Sequence, residues 1–534
     1  MDKLTVVIAE AISPVAVAIL RERCNVIDAV GVSREELIRK IGDAAALIVR
    51  SGTAVDRELM KAAPGLKVVG RAGIGVDNID LTAATSAGVV VVNAPDANTI
   101  SAAEHTFALM LSQARHVTRA DASLRSGNWN RNEFQGVELY GKTLGILGMG
   151  RIGTLVADRA AAFGMKVIGY DPYISQNRAS LLDLDLLSFD AVLEAADFVT
   201  VHLPRNKETE GLIDVAALAK MKPGARIINV ARGGIIEEKA LFEAIRSGRI
   251  AGAAIDVFGV EPVTDSPLFE LDEIVVTPHL GASTLEAQSR SGVSVAESVV
   301  ETLEGELVRS AVNIDFGQKI STTVKSYLPI AEILGKIFVS LSYGLPDHLI
   351  VAAKGRIASA SIRPLVLATL KGALQEITDE PVSYVNAPLV AASYGLEISE
   401  QSTRDSNVYR SFMQVTGIFE GDRRVVTGTL MERKGPVLLG VDGYEMELPI
   451  TEHMILIRNE DMPGMIGQVG KLLGDSGVNI MEMVVGRHPE GGAMMGLCLN
   501  ALVTQEILRG IQKIKGVSEA KYLHISSALQ PDCE

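Results

Sequence analysis

The sequence predicts an α/β protein: a doubly wound parallel-sheet nucleotide domain plus a flavodoxin-like domain, followed by an α+β segment and a ferredoxin-like unit. Three observations carry this. Short β-branched runs alternate with helical stretches from residue 4 to residue 276, the pattern of a parallel sheet crossed by helices. Gly148-Met-Gly150-Arg-Ile-Gly153 follows a strand-like TLGIL and opens a helix-like TLVADRAAAFG. About 80 residues at the C-terminal end alternate as β-α-β-β-α-β. With 534 residues and about 150 per domain, three or four domains are expected.

In order along the chain, residues 4–9 (LTVVIA) read as a buried strand and Pro14 to Arg23 as a helix. The runs at 45–49, 66–70 and 89–92 are further strands. Thr99 to Arg125 reads as one long helix, with Ser101-Ala-Ala-Glu104 as its capping box. A second series follows at Thr143–Leu147, Lys166–Tyr170, Phe198–His202, Arg226–Val230, Ala253–Val257 and Ile274–Val276; six such strands suffice for a doubly wound domain. Helix-favouring sequence from Thr284 to Glu304 is expected to return the chain to the first domain. The expected division is therefore 1–97 with 286–315, then 98–285, 316–452 and 453–534. In the third part, helices are expected near 325–343 and 365–376, before a β-rich stretch at 409–450 dotted with bases. Arg423, Arg424, Arg433 and Lys434 there read as a solvated face. The fourth part is short enough to stand as a separate module.

Composition excludes several classes of function. Hydrophobic residues at 47% and charged ones at 22% describe a core-forming chain. Acids outnumber bases by 65 to 51, and the net charge of −14 argues against nucleic-acid or anionic-membrane partners. Cys24, Cys498 and Cys533 are scattered and odd in number, so neither a disulfide framework nor a zinc site is expected, and a reducing compartment fits. No apolar run reaches 18 residues, and MDKLTVVIAE lacks the charged region of a leader, so a cytoplasmic protein without a membrane span is expected.

The glycine loop has a physical reading at each position. Gly148 permits the tight turn, Gly150 lets a pyrophosphate approach the backbone, and Gly153 lets the helix close on the sheet. The helix N-terminus offers free N–H groups to the anion. The next strand ends in Tyr170-Asp171, where an acid can bind ribose hydroxyls and repel a 2′-phosphate; NAD is favoured. Gly70-Arg-Ala-Gly73-Ile-Gly75 has a different spacing, and can still hold an anion through its N–H groups.

Three polar residues end successive apolar strands: Arg232 after IINVA, Glu261 after AAIDVFGV and His279 after IVVTP. Open α/β sheets bind ligands at strand carboxyl ends. A guanidinium pairs with a carboxylate and polarises a carbon–oxygen bond. An imidazole takes a hydroxyl proton as hydride leaves, and a carboxylate beside it fixes its tautomer. Singly, each residue has a plainer structural reading. In this order, downstream of a dinucleotide loop, they point to oxidation of a hydroxy acid, with no metal required.

GKTLGILGMGRIG, INVARGGIIEEKAL, AAIDVFGVEP and TPHLGASTLEA resemble, in order and spacing, the signature segments of the D-isomer-specific 2-hydroxyacid dehydrogenases. VRSGTAV, VVGRAGIGVDNIDL and GNWNRNEFQGVELYGK extend the resemblance over residues 3 to 315, towards members that oxidise 3-phospho-D-glycerate to 3-phosphohydroxypyruvate at the start of L-serine biosynthesis. The resemblance implies NAD as cofactor and Arg232, Glu261 and His279 as the catalytic set. It implies that Gly148, Gly150, Arg151, Ile152, Gly153 and Asp171 hold the cofactor, with Asp256 beside the nicotinamide carboxamide. Arg50, Ser51, Arg71, Gly73 and Gly75 match the substrate pocket, and Arg131 a phosphate-facing base that can reach a neighbouring subunit. Ile74 departs from relatives that have threonine there, removing a hydroxyl contact. Residues 316–452 resemble the family's intervening domain, and 453–534 an ACT domain. That implies L-serine as effector, with Asn459, Asp461 and Asn479 as its contacts, and a homotetramer. Two alternatives stay open: reduction of glyoxylate, hydroxypyruvate or another 2-keto acid at the same site, and a non-catalytic NAD(H)-sensing co-repressor, which the ACT-like unit disfavours.

Overall fold

The computed structural model describes residues 3–174, 185–316, 320–342, 344–378, 381–405, 409–432 and 434–525; Arg433 and Cys533 lie outside them. The first sheet contains β1 (Thr5–Ile8), β2 (Asn25–Asp28), β3 (Ala46–Val49), β4 (Val68–Arg71) and β5 (Val90–Val92). Its order is β2-β1-β3-β4-β5, all parallel, the flavodoxin-like arrangement. β3 is buried along its whole length, whereas β2 is a half-exposed edge strand that sequence reading missed because it alternates weakly. The helix Leu285–Leu303 returns the chain to this sheet. Val295 and Val299 press so closely on β4 that a Cβ at Gly70 would lie 2.5 Å from Val295 Cγ1.

The expected single helix over 99–125 is two helices, Thr99–Arg115 and Val117–Arg125, separated by His116 at φ 53°. Glycine usually supplies such a left-handed stop, so a histidine there leaves no local signal. The expected capping box is absent too. Asn98 is the N-cap, and Ser101 is buried inside the first turn, its hydroxyl donating to Asn98 O at 3.0 Å.

The second sheet holds β6 (Thr143–Leu147), β7 (Lys166–Tyr170), β8 (Asp185–Leu186), β9 (Phe198–Val201), β10 (Ala225–Asn229), β11 (Ile250–Ile255) and β12 (Ile274–Val276). Its order is β12-β11-β10-β9-β6-β7-β8, all parallel, so the strand order reverses between β6 and β9, beside the glycine loop. The sheet has seven described strands and not six, because the two-residue β8 is too short to read from sequence.

The third sheet orders as β14-β13-β15-β16-β17-β18, from β13 (His348–Gly355), β14 (Glu397–Thr403), β15 (Ser411–Phe419), β16 (Asp422–Met431), β17 (Gly435–Val441) and β18 (Tyr444–Pro449). Helices Thr322–Leu341 and Arg363–Gln375 pack together over it. The fourth is antiparallel, β20-β21-β19-β22, from β19 (His453–Asn459), β20 (Ile480–Arg487), β21 (Ala493–Leu499) and β22 (Val517–His524). One face packs a core of its own with Ile455, Ile457, Val469, Leu473 and Leu497, while on the other face Met454, Leu456, Met494, Cys498 and Leu523 join one core with Leu438, Met446 and Leu448 of the third sheet.

Arg424 departs from the solvated face as well. It reaches Leu341 O, lies 3.4 Å from Asp442, and Arg458 Nη2 meets the same Asp442 carboxylate at 3.0 Å, tying the two sheets together.

Candidate active site

A cleft of about 510 Å³ opens where the carboxyl ends of the first two sheets face each other. Arg50 and Arg71 reach it from the ends of β3 and β4, and Arg232, Glu261 and His279 from the loops after β10, β11 and β12. Residues far apart in sequence meet because parallel strands deliver their ends to one edge.

His279 sits at φ 55°, its N–H donating to Asp256 O at 2.8 Å. Its Nδ1 lies 2.6 Å from Glu261 Oε2, and Glu261 Oε1 accepts the Phe258 N–H at 2.9 Å. Burial pulls the Glu261 carboxyl upward, yet hydrogen bonds from His279 and Phe258 outweigh it and hold the group below its ordinary range. An ionised carboxylate only accepts, so Nδ1 carries the proton and Nε2 is the basic nitrogen.

Arg232 is held in its turn by Asn229, whose Nδ2 donates to Arg232 O at 2.9 Å. Its own Nη1 donates to Ala231 O at 2.8 Å, and Nε lies 3.7 Å from Asp77 Oδ2. Arg71 is half-buried beside it. Burial first, and then the neighbouring Arg232, push the Arg71 guanidinium down to about 10. Its Nε is buried without a partner among the described residues. Gly73 and Gly75 act through the room they leave: a Cβ at Gly73 would lie 1.7 Å from Arg71 Nη1, and one at Gly75 2.5 Å from Arg232 Nη2. Ser51 and Gly73 line the cleft; Gly75 backs the Arg232 head. Arg131 is exposed on the short turn Arg131–Phe134 and does not line the cleft of its own chain.

The glycine loop lies at the start of helix Arg151–Ala162. Gly148 has φ 99°, and a Cβ there would meet His202 O at 2.5 Å; one at Gly153 would meet Gly148 O at 2.1 Å. At Gly150 an added Cβ meets nothing within 4 Å, so the loop is closed on two sides and open where a pyrophosphate would approach. Asp171 Oδ2 accepts the Met149 N–H at 2.9 Å, fixing the acid to the loop. Ile152 packs in the core under the loop, and Arg151 pairs with Asp96 on the crossover between domains. These residues fit a dinucleotide.

Asp256 lies beneath the His279 loop. It is fully buried and does not line the cleft. Oδ1 accepts from Thr277 at 2.6 Å and the Leu280 N–H at 2.7 Å, with His105 Nε2 at 3.2 Å, while Oδ2 accepts the Gly281 N–H at 2.9 Å. With both oxygens engaged by the chain, it holds the His279 loop in shape. Sequence reading also missed Glu10, Asp77, Asn78 and Arg205. The last three line the cleft and Glu10 anchors its wall, but none belongs to a motif of its own.

In the fourth sheet, Asp461 meets Arg487 at 3.1 Å beside Asn459, whose buried Oδ1 has no partner among the described residues. Asn479 lies elsewhere. Register pairs Asn459 with Ala493 and Ala493 with Arg487, whereas Ile480 pairs with Leu499 and Leu499 with His453. Asn479, just before Ile480, is therefore at the other end of the sheet from Asn459, and one chain does not bring the three together.

Among the described residues there is no cluster of His, Cys, Asp and Glu able to hold a metal, and no helix long and apolar enough to cross a membrane.

Fold and site together define a nicotinamide-dependent 2-hydroxyacid dehydrogenase. Residues 107–281 match the model of the D-isomer specific 2-hydroxyacid dehydrogenase NAD-binding domain, 323–442 that of the D-3-phosphoglycerate dehydrogenase intervening domain, and 453–516 that of the ACT domain. The chain is 44% identical to D-3-phosphoglycerate dehydrogenase of Mycobacterium leprae, over 98% of its own length and 100% of that protein's. It is 42% identical to the Methanocaldococcus jannaschii enzyme of the same name, over 96% and 98%. The chain belongs to the D-3-phosphoglycerate dehydrogenase family. The catalytic half also resembles solved structures: the TT0316 protein of Thermus thermophilus (TM-score 0.54, 35% identity, 58% of this chain and 100% of that one) and a glyoxylate reductase from Paecilomyes thermophila (TM-score 0.54, 31% identity, 58% and 99%).

Proposed function

We propose that the protein oxidises 3-phospho-D-glycerate to 3-phosphohydroxypyruvate with NAD. The observation that carries this reading is the convergence of Arg50, Arg71 and Arg232 on one cleft with the His279–Glu261 pair, in a chain whose net charge is −14. Three guanidiniums so close repel one another unless an anion sits among them, and a substrate bearing both a carboxylate and a phosphate supplies two.

Arg232 binds the carboxylate and polarises the C2 oxygen. His279 Nε2 takes the C2 hydroxyl proton, while Glu261 holds Nδ1–H and stabilises the imidazolium that forms. Arg50 and Arg71 face the phosphate end, joined by Arg131 of a neighbouring copy. Gly148, Gly150 and Gly153 seat the dinucleotide, Arg151 and Ile152 flank it, and Asp171 holds its ribose. The bound cofactor supplies the hydride acceptor. Asp256 contributes by keeping the His279 loop in place.

A coupled NADH assay with 3-phospho-D-glycerate and with unphosphorylated 2-hydroxy acids tests the reading. A preference of at least 100-fold in kcat/KM for the phosphorylated acid is expected, about 2.7 kcal/mol. Equal rates would turn the assignment to a glyoxylate- or hydroxypyruvate-type reductase, and no turnover to a cofactor sensor.

L-serine is the proposed effector. The unpartnered Asn459 Oδ1, with Asp461 near it and Asn479 at the far end of the sheet, supports a site shared between two copies of the fourth sheet in a homotetramer. Equilibrium dialysis with serine tests this; binding that survives Asn459→Ala unchanged counts against it. Buried Cys24 and Cys498 are free thiols, in keeping with a cytoplasmic setting.

A further inference from the structure

We infer that Glu10 is a positioning residue for the substrate wall. It holds the turn that carries Arg50 and Ser51, and so governs affinity for the phosphorylated acid without touching it. The inference rests on the proposed role of Arg50.

Parallel pairing puts Ile8 of β1 level with Ile48 of β3, so two residues on, Glu10 leaves its strand beside Arg50. There its carboxylate collects three backbone donors: Oε1 accepts the N–H groups of Arg50 and Thr53, both at 2.9 Å, and Oε2 accepts that of Gly52 at 3.1 Å. The fit is close. A Cβ at Gly52 would approach Oε2 to 3.2 Å, so glycine leaves room for the carboxylate. The opposite side of the turn is fixed by Asn78, whose Nδ2 donates to the carbonyls of Arg50 at 2.8 Å and Thr53 at 2.6 Å. Five hydrogen bonds from two side chains to Arg50, Gly52 and Thr53 hold the turn 50–53, of which Arg50 and Ser51 line the cleft.

A loop so short has no core of its own to fix it, and a guanidinium on a freely moving backbone binds an anion poorly because ordering costs affinity. Charge-assisted bonds to backbone N–H groups are among the stronger ones available. An acid near an anion site would ordinarily oppose binding. Here both oxygens point into the turn, and the remaining field falls on Arg71, where Glu10 offsets part of the repulsion between guanidiniums. Replacing the carboxylate removes the anchor and that offset together.

The test compares Glu10→Ala, Glu10→Gln, Arg50→Ala and the double variant Glu10→Ala/Arg50→Ala as full-length chains, by steady-state kinetics and thermal unfolding. Glu10→Ala is expected to raise KM for 3-phospho-D-glycerate about tenfold, with kcat and KM for NAD changed less than threefold. Glu10→Gln keeps an acceptor at one oxygen but sets an NH2 against a backbone N–H, so an intermediate rise is expected, and it serves if the alanine variant does not fold. In the Arg50→Ala background, Glu10→Ala should add less than twofold, because the group it positions is gone. An unchanged KM in both Glu10 variants, a parallel loss of kcat and both KM values, or full additivity with Arg50→Ala would overturn the inference. Arg50→Ala with normal KM would instead remove Arg50 from the substrate site and take the inference with it; a raised KM there with silent Glu10 variants would sink the inference alone.

Discussion

Glu261→Gln isolates the contribution of a charge at constant shape. In the native site each carboxylate oxygen has one donor, His279 Nδ1 at 2.6 Å and the Phe258 N–H at 2.9 Å. An amide has one acceptor. If its oxygen stays with the obligate donor Phe258, its NH2 faces Nδ1, which must then accept; the proton moves to Nε2, and the base that should take the substrate's proton is lost. If the amide turns the other way, NH2 meets the Phe258 N–H. Either arrangement leaves an unsatisfied group, at about 1–3 kcal/mol. The imidazolium formed during oxidation also loses its counter-charge. The side chains of the pair are 45% and 34% exposed, so the water-like limit applies: about 1.4 kcal/mol for unit charges ~3 Å apart.

Together these give a fall in kcat of about 50-fold to 2000-fold, read as slower NADH formation with a larger primary deuterium isotope effect at C2. The pH dependence has a defined sign. The Glu261 carboxyl is held below its ordinary range by His279 and Phe258 against the upward pull of burial, so its charge is in place above the ordinary glutamate value and is lost only as pH falls through the lowered one. The ratio of wild-type to variant kcat should therefore stay flat down to the ordinary glutamate range, about pH 4, and shrink only below it. A variant with kcat within twofold of wild type, or one whose whole defect lies in KM for NAD, would refute the reasoning.

Gly153→Ala places a Cβ 2.1 Å from the Gly148 carbonyl, so the loop must open; KM for NAD should rise at least tenfold while the affinity of the free enzyme for substrate holds, measured by titration calorimetry. Asp256→Asn cannot satisfy the donors that meet the carboxylate, and should cost about 3 kcal/mol of stability in thermal unfolding. Its pH signature is separate: burial raises the Asp256 carboxyl, but His105, Thr277 and Leu280 hold it below its ordinary range, so the stability it confers is present above about pH 4 and lost as pH falls further, a loss the asparagine variant should lack. Deleting everything after Glu452 strips Met454, Leu456 and Leu523 from the core under the third sheet; limited proteolysis should then degrade residues 320–452 while the catalytic half survives, and a protease-resistant third sheet would count against a shared core.

How much of this could be read in the sequence follows from how local each cause is. Buried strands of both parallel sheets show as β-branched runs because both faces are covered, and β6, β7 and β12 fall where the sequence puts them. The glycine loop was legible since each glycine answers a constraint set within a few residues. His116 was not, because a histidine at φ 53° carries no turn signature. Glu10 was illegible for a different reason: its donors lie 40 to 43 residues away, and only the adjacency of β1 and β3 brings them together. Asp256 is a mixed case: its link to the nicotinamide carboxamide comes from resemblance alone, whereas its burial and four chain contacts show only in the fold.

The shared core also constrains how the C-terminal half can act on the cleft. Because the third and fourth sheets pack into one core and Asp442 binds Arg424 and Arg458 across them, they respond as a body. Arg458 immediately precedes Asn459, so a ligand at the Asn459 end meets that body at its ion-paired seam. The body in turn touches the first sheet where Ser383 Oγ donates to Gly88 O at 2.9 Å, two residues before β5. β5 pairs with β4, and β4 ends in Arg71. Through β5 and β4 a shift of the C-terminal body reaches the substrate arginines directly, whereas the dinucleotide loop lies further on, past Asp96 and its pair Arg151. Regulation transmitted this way falls first on substrate affinity and on domain closure, and leaves the affinity of the free enzyme for NAD nearly unchanged. Direct titration of NAD with and without serine separates the two routes, and a serine-dependent change in NAD affinity of tenfold or more would rule this one out.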